Sequence, residues 1–269
     1  METNTSAPPE FAHLVVACDG RRGTLTLNRP EALNPLSMQM MSDIIDAARW
    51  FDQQPDLRVV VVQGAGRAFS AGADITAFSD SGPSPAGGRL PADTGRLMAD
   101  ALEHMGPVTI ARLHGHVVGG GVVLAAACDL RVATDDVRFS IPEVDLGIPL
   151  AWGGIPRLVR EIGPALTKEL VMTCRPFSAE EAQAAGFLNR VVPAGQLDDE
   201  VEALAEAVAS RPRYAVLATK AHTNAVTEQM VGLARSWSDS EGLAVGLRDP
   251  EGRNSREQYL DRVQNKRSR

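Results

Sequence analysis

The chain has 269 residues, 44% of them hydrophobic, which is enough for one large core or two small ones. Its 27 Lys and Arg stand against 34 Asp and Glu, so the net charge of −7 excludes a broad basic surface for nucleic acid or anionic lipid. Three widely separated cysteines do not predict a disulfide framework or a zinc cluster, and with no signal-like start they favour a reduced cytoplasm.

The first elements are a loose arm, a hairpin and a helix. Residues 1–12 are polar and proline-containing, and we expect a flexible arm there. Residues 13–18 and 24–28 read as the two strands of a β-hairpin. Ser37 is typical of an N-cap, and the apolar spacing after it predicts an amphipathic helix that ends before Pro55.

The middle of the chain alternates predicted strands and helices. A continuous β-branched run at 57–62 is typical of a strand buried on both faces. A low-complexity stretch at 79–88 predicts a surface loop. Further strands are expected at 108–111, 130–133 and 137–139, with helices near 90–105 and from 119 to 127. This order predicts βαβ units around an α/β core.

Beyond Gly154 helical patterns dominate. They cover about 155–173, 178–185, 196–209, 213–235 and 238–248. Only residues 190–192 look extended in this part of the chain. We therefore expect a helical C-terminal third packed on the α/β core, without a clear linker and without an internal repeat.

Two buried strands run into glycine-bearing turns, at 63–74 and at 114–121. Small residues let a ligand approach the backbone, and a turn that enters a helix leaves N–H groups without intrahelical partners. Such groups can bind a developing oxyanion, although the same glycines could serve only tight turns and close packing. Neither turn is a nucleotide-binding fingerprint, since no GxGxxG or GxxxxGK[ST] follows a strand.

These turns are part of an ordered set of motifs. They are AFSAGADI at 68–75, HGHVVGGG at 114–121, CDL at 128–130, FSIPEVDLGI at 139–148, RL at 157–158, AEEA at 179–182 and GFL at 186–188. Together they closely resemble the enoyl-CoA hydratase/isomerase (crotonase) superfamily. The resemblance runs from about residue 12 to residue 195 and continues more weakly to the C-terminus.

The resemblance implies an α/β fold, a spiral of ββα units with two roughly perpendicular sheets and a C-terminal helical region. It places the spiral core at 13–200 and a trimerisation or capping region at 201–269. It also implies a homo-oligomer, either a trimer or a dimer of trimers. The implied ligand is an acyl-CoA thioester, so coenzyme A is part of the substrate, and neither a separate cofactor nor a metal is implied.

Site residues follow from the same resemblance. The backbone N–H groups that hold the thioester oxygen match Ala73 and Gly120, and preorganised donors of this kind stabilise an enolate by several kcal/mol. The positions matching the substrate and coenzyme A site are Leu33, Asn34, Ala71, Asp74, Ile75, Gly119 and Gly121. Glu31 stands where many relatives have a lysine, so we expect Arg29 and Arg67 to meet the anionic coenzyme.

The carboxylates point to the reaction type. Hydratases of this family use two glutamates; Val123 occupies the first position and Glu143 the second. Because valine cannot carry a proton, the pattern favours isomerisation, in which one glutamate moves a proton from C2 to C4. An atypical hydratase that binds water by another group is the alternative enzyme, and a non-catalytic acyl-CoA-binding protein is the alternative of another class.

A second acid is a weaker expectation. Asp145 lies two residues past Glu143 and could serve as one, although a solvated or ion-paired loop carboxylate is the competing interpretation. Dienoyl-CoA isomerases carry a second acid further along, and the matching position here is Ala151. That subtype therefore loses support.

Aromatic and histidine side chains near the motifs have two interpretations each. Trp152 and Phe78 could line the acyl pocket or serve only in packing. His114 and His116 flank a glycine without a carboxylate or cysteine at ligand spacing, so a structural role is favoured over catalysis or metal binding.

Overall fold

The computed structural model describes residues 7–74, 90–236 and 238–267. Its larger sheet is formed by β1 (Leu14–Asp19), β2 (Arg22–Leu27), β3 (Val59–Gly64), β4 (Val108–Leu113), β6 (Leu130–Thr134) and β9 (Arg190–Val192), in the order β1-β2-β3-β4-β6-β9. The hairpin pair β1 and β2 is antiparallel, and every other neighbouring pair is parallel. The predicted hairpin and βαβ units are thus confirmed, while the predicted loop at 79–88 lies outside the described residues.

A smaller sheet contains β5 (His116–Val118), β7 (Arg138–Ser140) and β8 (Phe177–Ser178). The expectation that only 190–192 is extended beyond Gly154 was wrong, because β8 lies there too. Strands of two or three residues are too short to carry an alternation pattern, and β5 also lies inside a glycine-rich turn.

Nine helices of more than one turn lie in the described ranges. They are α1 (Met38–Asp52), α2 (Leu90–His104), α3 (Gly120–Ala126), α4 (Gly154–Thr173), α5 (Ala179–Ala184), α6 (Leu197–Ala209), α7 (Arg213–Met230), α8 (Asp239–Arg248) and α9 (Pro250–Arg267). The Ser37 hydroxyl accepts a hydrogen bond from the N–H of Met40, which confirms the predicted cap of α1. Helix α7 ends five residues earlier than predicted, and no pattern had marked α9 as a separate helix.

The larger sheet is covered on both faces. One face packs with α1, α2 and α3 in the main hydrophobic core, whose fully buried members include Leu25, Ile44 and Val62. On the other face, Leu197 and Val201 of α6 pack against strands β3, β4 and β6. Because β3 and β4 are adjacent and parallel, the turns that follow them leave the sheet at the same edge. Within the described ranges, no helix is long and apolar enough to cross a membrane.

Candidate active site

The two glycine-bearing turns meet beside the smaller sheet. Ser70, in the first turn, pairs in parallel with Val117 of β5. Its N–H donates to the His116 carbonyl at 3.1 Å, and its carbonyl accepts from the N–H of Val118 at 3.0 Å. Backbone hydrogen bonds therefore fix the first turn against the segment that leads into α3.

Gly72 completes this junction. Its φ of +84° is a left-handed value that favours glycine, and a Cβ there would lie 2.5 Å from the carbonyl oxygen of Val118 and 3.3 Å from the nitrogen of Gly120. No side chain fits at that distance. The absence of one lets the backbone at Ala73 approach the first residue of α3.

Two free N–H groups result. Gly120 opens α3, where N–H groups have no intrahelical acceptor. Among the hydrogen bonds of the described residues, neither the Ala73 N–H nor the Gly120 N–H has a protein acceptor. Both residues line one small cavity of about 40 Å³. The pair is suited to bind an oxygen on which negative charge develops.

Glu143 projects into this cavity from the turn after β7. A Cβ on Gly119 would lie 2.4 Å from Glu143 Oε1, so the glycine makes room for the carboxylate. The other oxygen, Oε2, is buried and has no hydrogen-bond partner. Burial raises the pKa of Glu143 to about 7, against a smaller lowering by its own backbone N–H. A carboxylate poised near neutral pH is suited to accept and return a proton.

The other cavity walls are apolar. Val123 lies one turn after Gly120 on α3, is fully buried and lines the cavity, so no carboxylate faces Glu143 from that position. The remaining lining residues are Ile148, Pro149, Leu150, Ala151, Trp152 and Leu243. Of the described residues that line this cavity, Glu143 alone is titratable.

The residues matched to the coenzyme site mostly shape the backbone. Leu33 and Asn34 both have left-handed φ, at +66° and +54°. The buried Asn34 side chain accepts from the N–H of Arg29 and donates to the carbonyls of Ala65 and Ala68, at 2.8–2.9 Å. The Ala71 N–H donates to the Leu33 carbonyl at 2.8 Å. These contacts connect the loop after β2 to the turn that carries Ala73, and they occupy the amide of Asn34.

Ion pairing and packing explain the other matched residues. Asp74 is 2.8 Å from Arg29, in a half-buried ion pair directly after Ala73. Gly121 packs against Ser70, where a Cβ would lie 3.0 Å from the serine Cβ. Gly119 is the glycine beside Glu143. Ile75 and Phe78 lie outside the described residues.

Asp145 does not join Glu143. Its side chain is 44% exposed and lies 3.5 Å from Arg262, and it does not line the cavity. His114 is bound in place, with Nε2 2.8 Å from the Gly66 carbonyl and Nδ1 3.1 Å from Arg112, and burial lowers its pKa. These contacts fit the structural interpretation of His114 and the ion-paired interpretation of Asp145.

Sequence reasoning missed two contributions to this site. Arg157 was noted only within a motif, yet its side chain is 1% exposed and donates to the carbonyls of Trp152 and Gly153. The available signal was an arginine shortly after the Gly153-Gly154 pair. Leu243 reaches the cavity from α8, and an ordinary leucine so far along the chain gave no signal.

Comparisons with known proteins match the chain to one family of acyl-CoA enzymes. The sequence model described as "Enoyl-CoA hydratase/isomerase" matches residues 23–265. The chain is 37% identical over 234 residues to "Probable enoyl-CoA hydratase echA8" of Mycobacterium bovis, covering 87% of this chain and 86% of that protein. It is 36% identical to the peroxisomal Delta(3,5)-Delta(2,4)-dienoyl-CoA isomerase of Arabidopsis thaliana, over 84% of this chain and 86% of the relative. The crystal structure of an enoyl-CoA hydratase/isomerase from Xanthobacter autotrophicus Py2 superposes with a TM-score of 0.84 at 26% identity, over 94% and 99% of the two chains.

Proposed function

The chain belongs to the enoyl-CoA hydratase/isomerase family, and from this premise we propose that it is an enoyl-CoA isomerase with one glutamate as proton shuttle. The Ala73 and Gly120 N–H groups bind the thioester oxygen of a 3-enoyl-CoA. Glu143 takes the proton from C2, which leaves a dienolate with its charge on that oxygen. The same carboxyl group returns the proton to C4, and the double bond now lies between C2 and C3.

The observation that carries this proposal is that the described residues lining the cavity include one carboxylate, Glu143. Glu143 has an unpartnered oxygen in the cavity that both N–H groups line, while the fully buried Val123 fills the other carboxylate position. Each oxyanion donor contributes about 10²–10³ in rate in comparable sites. A positioned general base contributes about 10²–10⁴. Together these supply catalysis without a second acid.

Hydration is the second candidate, because the Mycobacterium bovis relative bears the name of a hydratase at 37% identity. A hydratase built on this cavity would have to orient its water with Glu143 alone, since Val123 offers no hydrogen bond. A binding protein without catalysis is the third candidate. The retained Glu143 argues against it.

The test is Glu143→Gln, which keeps the shape of the side chain and removes its ability to take a proton. We expect turnover of a 3-enoyl-CoA, followed by the rise of conjugated enoyl absorbance, to fall by about 10²–10⁴. The affinity for a saturated acyl-CoA, measured by calorimetry, should stay within about twofold, because neither N–H group is changed.

Asp145→Asn is the matched control, since this exposed carboxylate lies outside the cavity and should leave turnover unchanged. Unaltered turnover in Glu143→Gln would refute the role of the glutamate. If the wild-type protein removes the absorbance of a 2-enoyl-CoA faster than it converts a 3-enoyl-CoA, hydration replaces isomerisation. Binding without any chemical change would leave only the third candidate.

A further inference from the structure

Trp152 is built tightly into the wall of the cavity. Its indole lies between a glycine of α2 and a glycine of α3: a Cβ on Gly95 or on Gly120 would come within 2.2 Å of the ring. Its backbone φ is +61°, in the left-handed region that a bulky residue rarely adopts. Two missing side chains and an unusual backbone conformation thus combine to place one aromatic ring.

The turn that carries the indole is held from three helices. Arg157 of α4 donates to two carbonyls of the turn and to two carboxylates of α2; these are Trp152 O at 3.1 Å, Gly153 O at 3.3 Å, Asp100 Oδ1 at 2.8 Å and Glu103 Oε2 at 2.8 Å. Asp239 of α8 accepts from the N–H of Gly153 at 2.8 Å. Such over-determination is what keeps a residue in a sparsely populated conformation.

The indole borders the space in which an acyl group must lie. Gly120, against which the ring packs, also supplies an oxyanion N–H, and Glu143 lines the same cavity. The walls beyond are aliphatic, from Val123, Leu150 and Leu243. The cavity that the described residues enclose has a volume of about 40 Å³, and a water-sized sphere needs roughly 10–15 Å³ on this measure, so the cavity holds about three or four such spheres and admits few carbon atoms.

We propose that Trp152 is a specificity-determining residue that limits the substrate to short-chain unsaturated acyl-CoA thioesters, with an acyl group of about four carbons. This inference rests on the proposed function, because the placement of the thioester comes from it. An acyl chain that exceeds the limit binds about tenfold or more weakly. The residue acts by size and position, and it takes no part in moving the proton.

The experiment measures the affinities of saturated butyryl-, hexanoyl-, octanoyl- and decanoyl-CoA by calorimetry, which does not depend on turnover. Wild type should bind octanoyl-CoA at least about tenfold more weakly than butyryl-CoA. Trp152→Ala should bind octanoyl-CoA at least about tenfold more tightly than wild type, with butyryl-CoA changed less than about threefold. Trp152→Phe should fall between them. Trp50→Phe, a buried tryptophan of α1 outside the cavity, should keep the wild-type profile.

A second pair of variants separates selectivity from packing. Gly95→Ala adds a methyl group where the indole now lies, so it should push the ring and weaken binding of butyryl-CoA. In the Trp152→Ala background the same change should have no such effect. If Trp152→Ala does not fold, as judged by circular dichroism, Trp152→Phe and Gly95→Ala carry the test.

The outcomes separate this inference from the proposed function. Equal affinity of wild type for all four thioesters would overturn the size limit and leave the proposed function standing. An unchanged chain-length profile in Trp152→Phe or Trp152→Ala would also overturn it. If the protein bound none of the four thioesters, the proposed function itself would be overturned, and the inference with it.

Discussion

Two charged side chains near the cavity are partnered differently by the fold. Arg157 is fully enclosed, but its donors meet two carboxylates and two carbonyls. Glu143 as a whole residue is partly exposed, but its Oε2 is buried and has no hydrogen-bond partner. Leaving a buried polar atom unpaired costs free energy, so an atom that persists in this state needs an explanation. The proposed proton transfer to and from substrate accounts for the unpaired oxygen of Glu143, and holding the Trp152 turn accounts for Arg157.

The pKa of Glu143 predicts the pH dependence of the reaction. The group must be ionised to remove a proton, and burial raises its pKa from 4.5 to about 7. We expect kcat/KM for a 3-enoyl-CoA to rise about tenfold per pH unit below about pH 7 and to level off above it. Rates measured from about pH 5 to about pH 9 check this. A flat profile across neutrality would contradict the assignment of the base.

The same shift sets the sign of a stability effect, which serves as a control without substrate. The folded protein holds this proton more tightly than the unfolded chain, whose carboxyl titrates near 4.5, so the unfolding free energy falls as pH rises from about 4.5 to about 7. In Glu143→Gln the unfolding free energy does not fall in this way, because glutamine does not titrate. The thermal midpoint of this variant should therefore exceed that of wild type at pH above 7, and the advantage should shrink at pH below 4.5.

Among the secondary-structure elements, the terminal helix α9 braces the turn that carries Glu143. Gly252 lies so close to Gly147 that a Cβ on Gly147 would come within 2.2 Å of the Gly252 Cα. Arg256 donates from Nε to the Leu146 carbonyl at 3.2 Å. The helix therefore contacts the backbone three and four residues after Glu143, the proposed base.

Gly252→Ala tests this brace against a matched glycine. A Cβ at Gly252 would lie 2.8 Å from the carbonyl oxygen of Gly147, whereas the nearest atom at Gly242 of α8 is Pro149 Cγ at 3.5 Å, an ordinary contact. Alanine in a helix gains about 1 kcal/mol over glycine, so Gly242→Ala should keep or raise stability. Gly252→Ala should instead lose roughly 1–3 kcal/mol and lower kcat, because backbone must shift.

Thermal melts and kcat for both variants provide the comparison. A melt of Gly252→Ala at or above wild type, with kcat unchanged, would mean that α9 does not support the turn. Loss in both variants alike would point to a general sensitivity of the two terminal helices.

How much the sequence revealed depended on the kind of element. The Ser37 cap and the run at 57–62 carry local signals; α1 begins where expected, and β3 forms at Val59–Gly64, two residues later than the run. Helix α9 has only Tyr259, Leu260 and Val263 as larger apolar residues in 18 positions, and its contact with the core runs through a glycine, so no periodicity announced it. Ala73, Gly120 and Glu143 came from the family resemblance and meet in one cavity. The walls from Trp152 and Leu243 depend on tertiary packing that no local pattern encodes.

For the molecule as a whole, the net negative charge opposes the binding of an anionic ligand. A chain with a net charge of −7 repels an anionic coenzyme at long range, so local cations must attract it. Arg29 is already paired with Asp74 at 2.8 Å. Arg67 is exposed on the neighbouring turn, where a Cβ on Gly66 would lie 2.6 Å from Pro30 Cβ. Of the two arginines, Arg67 is therefore more available to a ligand phosphate. The trimeric assembly, which bears on the whole molecule in another way, stays a prediction from the family resemblance.

Arg67→Ala and Arg29→Ala should consequently differ in effect. Arg67→Ala should weaken acyl-CoA affinity by up to about fivefold, in keeping with about 0.2–1 kcal/mol for an exposed charge contact, and leave kcat unchanged. Arg29→Ala should mainly lower kcat, because it removes the ion pair with Asp74 directly after an oxyanion donor. The exposed Arg49→Ala on α1 is the control.

Salt separates the local attraction from the overall repulsion. Raising ionic strength from about 0.01 to about 0.1 M shortens the Debye length from about 30 to about 10 Å, which screens both. Wild-type affinity for butyryl-CoA, measured by calorimetry, should then change little or fall, because attraction by Arg67 weakens along with the repulsion. In Arg67→Ala only the repulsion remains to be screened, so its affinity should rise with salt. If both arginine variants bind like wild type at either salt concentration, Arg29 and Arg67 are surface charges without a role in binding.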